Sequence, residues 1–120
     1  MRVMIVHRGD LDGPVDMDYV AECQKFNEEA AAAGLVLSGE GLKPSAHARR
    51  VRFTPKKTMV VDGPFAETRE VLAGFSIWKV DSMEQAVEWV RRHPMPPGFQ
   101  EAELDIYPLW EMEDFPAAPA

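Results

Sequence analysis

Short apolar runs alternate along this chain with two stretches of helical period. Residues 2–8 hold four consecutive apolar side chains, Val3, Met4, Ile5 and Val6, which predict a strand. Residues 9–15 carry the Asp, Gly and Pro chemistry of a loop. After Asp16, which suits an N-cap, Tyr19, Cys23, Phe26, Ala30 and Ala33 recur on one helix face, and Gly34 stands where a helix C-terminal glycine belongs. Residues 35–37 predict a short strand, 38–48 a loop, and 50–54 and 58–61 two strands joined by a turn. A loop around Gly63-Pro64 leads to a strand over 73–80. Ser82 and Gln85 offer a capping box to a helix with the stripe Met83, Ala86, Val87 and Val90, ended by His93-Pro94. In 101–107 strict alternation puts Ala102, Leu104 and Ile106 on one side and Glu101, Glu103 and Asp105 on the other.

The order β-α-β, hairpin, β-α-β predicts an α+β fold, a ferredoxin-like split βαβ with an inserted hairpin. Two helices cover only one face of such a sheet. Yet the first strand is apolar on both faces, Val3 and Ile5 against Met4 and Val6. The strand holding Phe75 and Ile77 carries Trp78 and Val80 on its other side. Strands of this kind call for cover on both faces. The sheet of a second copy is the expected cover, making a homodimer with a pocket between the paired sheets. At about 25 cal/mol per Å2, several large side chains contribute many kcal/mol to such docking.

Composition narrows the partners. A length of 120 residues fits one domain, and a hydrophobic fraction of 46% fits a globular one. The formal charge of −7 disfavours nucleic acid. The basic cluster of Arg49, Arg50 and Arg52, followed by Lys56 and Lys57, serves either a solvated strand edge or an anion site. Cys23 stands alone, so no disulfide closes within the chain, and a reducing, cytoplasmic location is expected. No run approaches the roughly 20 apolar residues of a membrane span. The domain is expected over 1–110, with 111–120 as a flexible tail.

The run Val61-Asp62-Gly63-Pro64-Phe65-Ala66-Glu67-Thr68 resembles the DGPF signature of the YCII-related family. The likeness extends to Gly34-Leu35-Val36-Leu37, to Glu40-Gly41-Leu42-Lys43-Pro44-Ser45, to Ala73-Gly74-Phe75, and to the second helix with Arg91-Arg92-His93-Pro94. It implies a dimeric α+β barrel built from ferredoxin-like subunits. It implies less about activity. Some relatives are described as enzymes of aromatic-compound breakdown, using a His–Asp pair for dehydrochlorination or proton transfer. Many others look like companions of extracytoplasmic-function sigma factors. The enzymatic relatives carry their histidine on the first helix, and residues 16–33 here contain none. The pair therefore does not carry over, and only Asp62 matches a motif position fit for acid–base work.

Each candidate has two readings. Asp62 is a base facing an apolar cavity or, slightly favoured, a turn residue accepting backbone hydrogen bonds. His7 and His47 are the histidines placed to replace the missing one. Arg8 and Arg52 are candidates to hold an anionic substrate, and Glu40 and Glu67 to line a pocket; all four also suit a solvated surface. His93 reads as a helix-closing residue favoured by the dipole. Cys23 reads as inert core, and Trp78, Trp89 and Trp110 as packing. Histidine spacing fits no metal motif, and no cofactor motif is present. The expected function is cofactor-free proton transfer or elimination on a small molecule. The alternative is a non-enzymatic ligand-binding or regulatory module tied to sigma-factor systems.

Overall fold

The computed structural model describes residues 1–10, 13–67 and 70–116. In chain order these form β1 (Arg2–Arg8), α1 (Met17–Ala32), β2 (Val36–Gly41), β3 (Arg49–Phe53), β4 (Thr58–Asp62), β5 (Leu72–Lys79), α2 (Met83–Val90) and β6 (Leu104–Pro108). The main sheet has the order β2-β5-β1-β6 and is antiparallel throughout, while β3 and β4 pair by themselves. The fold is α+β. β5 separates β1 from β2, and β1 separates β5 from β6, so the two β-α-β units interleave.

Register divides the sheet into two faces. Val3 lies opposite Trp78 and Pro108, Ile5 opposite Ser76 and Ile106, and His7 opposite Gly74 and Leu104. This face packs on the helices. Val3, Ile5 and Trp78 close a core with Phe26 and Ala30 of α1 and Ala86 of α2. Met4, paired with Ile77 and Tyr107, and Val6, paired with Phe75 and Asp105, point to the other face.

Local chemistry sets the helix ends. Asp16 Oδ1 accepts from the backbone N–H of Asp18 at 3.0 Å and of Tyr19 at 3.1 Å. Gly34 follows α1 at φ +81°, a conformation that glycine adopts without strain. Ser82 Oγ accepts from Gln85 N at 3.1 Å, while the Gln85 side chain returns to Asp81 N at 2.7 Å. The reciprocal bond thus lands one residue before the cap.

Two strands differ from their expected bounds by three residues or more. β2 runs through Ser38-Gly39-Glu40-Gly41, which composition assigns to a loop, because those residues pair with Ile77, Ser76, Phe75 and Gly74 of β5. Tertiary pairing overrides weak local propensity there. β6 begins at Leu104 rather than 101, where pairing with His7 starts. Beyond β6, Met112–Asp114 forms a 3-10 turn, and Arg2 Nε meets Glu111 Oε1 at 2.9 Å.

Candidate functional site

A cavity of about 640 Å3 lies between α1 and the β2–β5–β1 part of the sheet, on the helix-covered face. It is therefore separate from the open face, where pairing of two sheets was expected to create a pocket. Gly39, Gly41 and Gly74 form much of its sheet side, beside Ala73 and Ser76 and the larger Val36, Glu40 and Phe75. Its helix side carries Tyr19, Val20 and Cys23 of α1. A cavity of this size falls within the range of small-molecule sites, about 300–1,000 Å3.

His7 and His93 meet at the inner end. Their ring centroids stand 4.9 Å apart at 66°, an edge-to-face contact. His93 also stands edge-to-face to Phe26, with centroids 4.9 Å apart, and Phe26 continues the aromatic cluster to Trp78 and Trp89. The imidazole pair is thus the boundary between core and cavity. Burial pushes the His7 pKa down to about 4, with a smaller contribution from neighbouring His93. Burial also lowers His93, opposed by its bond to a backbone carbonyl. Both rings are neutral at neutral pH.

The tautomer of His93 follows from its partner. His93 Nδ1 is 2.7 Å from the carbonyl oxygen of Pro94, which can only accept. Nδ1 therefore carries the proton and Nε2 a lone pair. The Tyr19 hydroxyl donates to the same carbonyl at 3.3 Å, with Cys23 as a neighbour. Burial pushes the pKa of both Tyr19 and Cys23 up, so both stay protonated. Cys23 was expected to be inert core; it is half-buried and lines the cavity.

Of the residues singled out from the sequence, His7 and Glu40 line the cavity, and the others lie elsewhere. Glu40 pairs with Phe75 and alternates with Gly39 and Gly41, so the register turns its carboxylate away from the His7 face. Arg8 Nε meets Asp105 Oδ2 at 2.5 Å at the end of β1. Arg52 is exposed on the β3–β4 hairpin, His47 on a 3-10 turn at Ser45–His47, and Glu67 in the loop after β4. Asp62 is exposed and pairs with Arg49 at 2.9 Å.

The residues around Asp62 have a structural task. A Cβ on Gly63 would lie 1.7 Å from the Ser45 carbonyl oxygen, so only glycine fits. Gly63 N donates to Ala48 O at 3.0 Å and Phe65 N to Ser45 Oγ at 3.1 Å. Ser45 is 2% exposed, and its hydroxyl donates to Asp10, whose other oxygen accepts from Ser45 N at 2.7 Å. The Arg50 guanidinium covers Phe65 at 4.1 Å. The Asp-Gly-Pro-Phe run thereby fastens three loops together.

His93 was read from the sequence as a helix-closing residue held by the dipole. α2 ends at Val90, and His93 turns into the cavity as a neutral ring. The available signal was parity: His7 shares a face with Val3 and Ile5, so its ring had to meet something beneath the helices. Among the described residues, no His, Cys, Asp or Glu group of three or more can hold a metal ion, and no helix is long and apolar enough to cross a membrane.

These features define a small α+β protein with an imidazole-lined cavity beneath its first helix. The chain matches the YCII-related domain over residues 1–113 and belongs to that family. It is 32% identical over 75 residues to an uncharacterized protein of Rhizobium meliloti (strain 1021). That match covers 59% of this chain and 60% of the relative.

Proposed function

We propose that the chain is a homodimeric, ferredoxin-like protein that binds a small molecule beneath α1 and moves a proton there without a cofactor. The observation that carries this reading is the neutral His7–His93 pair at the end of a glycine-floored cavity. His93 Nε2 offers a lone pair, and a neutral imidazole can take a proton from a bound acid. Such a buried base is weak while the site is empty. The anion left beside it after transfer strengthens its hold on the proton.

The chemistry is best read by exchange. Enolisable ketones incubated with the protein in deuterium oxide should exchange their α-protons faster than in buffer, followed by NMR. His93→Gln should slow that exchange at least about tenfold, within the usual contribution of a general base. Exchange equal in wild type and variant would remove the catalytic reading.

One observation favours a second reading, a ligand-responsive module without turnover. Among the described residues, His93 has a carbonyl rather than a carboxylate as its orienting partner. A ligand that raises the melting temperature yet is never altered supports the module.

A further inference from the structure

We infer that the cavity selects an uncharged, flat, mostly apolar molecule bearing an O–H or N–H donor, and excludes carboxylates, because no cationic side chain among the described residues lines it and His93 and Tyr19 have spent their own donors on the Pro94 carbonyl. This rests on the small-molecule reading given above. Two donors of the inner wall are already committed, while the neutral His7 ring keeps one N–H beside its lone pair. His93 Nδ1–H and the Tyr19 hydroxyl both donate to the Pro94 carbonyl. What these two lining residues keep free is the Nε2 lone pair and a lone pair of the hydroxyl oxygen. A ligand group that meets either of these two atoms must donate. A carboxylate, which can only accept, meets lone pairs at both and finds only the neutral N–H of His7 where a cation would be needed.

Charge gives the same answer. No lysine or arginine is among the described residues that line the cavity. Arg8 and Arg52, the expected anion holders, are elsewhere: one is tied to Asp105, the other exposed on the hairpin. The carboxylate of Asp16, at the start of α1, lines the mouth and adds negative charge. A buried cation is equally unwelcome, since the burial that keeps both imidazoles neutral also penalises an ammonium group. Gln24 and Asn27, which offer both donors and acceptors, line the cavity from the exposed side of α1.

Shape completes the description. Gly39, Gly41 and Gly74 leave bare backbone along the floor, where a planar ring can lie. A Cβ built on Gly41 would meet nothing within 4 Å, and its backbone is not in the left-handed region. Gly41→Val therefore projects into the cavity without strain.

The test uses the full chain at neutral pH and three probes on one bicyclic frame: a naphthol, the matching naphthoate and the matching naphthylmethylamine. Binding is followed by calorimetry and by NMR of the imidazole protons. The naphthol should bind at least about tenfold more tightly than either charged probe, a difference well above the error of the method. Gly41→Val should remove naphthol binding while circular dichroism and melting temperature stay unchanged; Gly41→Ala, a smaller intrusion, should weaken it. Naphthoate or naphthylmethylamine binding as tightly as naphthol, and lost in Gly41→Val, would overturn the ligand class and leave the pocket standing. No binding by any probe, or binding indifferent to both glycine variants, would overturn both.

Discussion

At the residue scale the informative side chains are those held out of their ordinary state. His7 is held neutral down to about pH 4, below its ordinary value of 6.5. The folded chain therefore binds fewer protons than the unfolded chain between those two values. Stability is full above about 6.5, falls as pH drops toward about 4, and then levels off. After allowance for the solvent-facing part of the ring, the loss is roughly 1–2 kcal/mol. Urea unfolding at about pH 7 and about pH 4.5 should show it, and His7→Gln should shrink the difference between the two conditions. An undiminished difference would assign the loss to other groups. The signature run divides differently. Gly63→Ala forces a methyl group into the Ser45 carbonyl and should cost about 3 kcal/mol or more. Asp62→Asn removes one arm of an exposed ion pair and should cost less than about 1 kcal/mol. Equal losses would place Asp62 in the fastening of the loops.

At the element scale, legibility followed how local the cause was. Asp16, Gly34 and Ser82 announce helix ends because caps act within a few residues, and all three stand at the ends expected. β1 was plain because four consecutive apolar residues, Val3 to Val6, mark a strand whatever lies around it. β2 was not, since Ser38-Gly39-Glu40-Gly41 has strand geometry only through its neighbour β5. The cavity was hidden for the same reason: its floor is glycine, and absent side chains leave no hydrophobic pattern. His93 was misplaced because its partners, Phe26 and His7, lie far away in sequence. The α1 cap carries a consequence for the site, because α1 roofs the cavity. Asp16→Ala leaves two N–H groups without their acceptor and should cost about 1 kcal/mol in urea unfolding. Hydrogen exchange should quicken in the first turn of α1 and not in α2. Equal quickening in both helices would mean that the cap serves global stability alone.

At the scale of the whole molecule, the sheet has one face more than its helices can cover. Ala30 and Ala86 join α1 and α2 to the same core, on the Val3 and Ile5 side. Met4, Phe75 and Ile77 remain half-buried on the other side, and Tyr107 is 53% exposed. The second copy proposed above would bring the same apolar surface. Each chain also carries −7, so two copies repel at long range and the apolar contact must exceed that repulsion. The balance yields two linked expectations. Light scattering should report the mass of two chains, and Ile77→Glu, which buries a charge at the centre of the face, should report one. Added salt screens the like charges beyond about 10 Å at 0.1 M, so the dissociation constant should fall as salt rises. A pair held together by ion bridges would respond in the opposite direction. Dissociation by salt would therefore show that charge rather than the apolar sheet joins the copies, and a single-chain mass for the wild type would leave that face to a different partner.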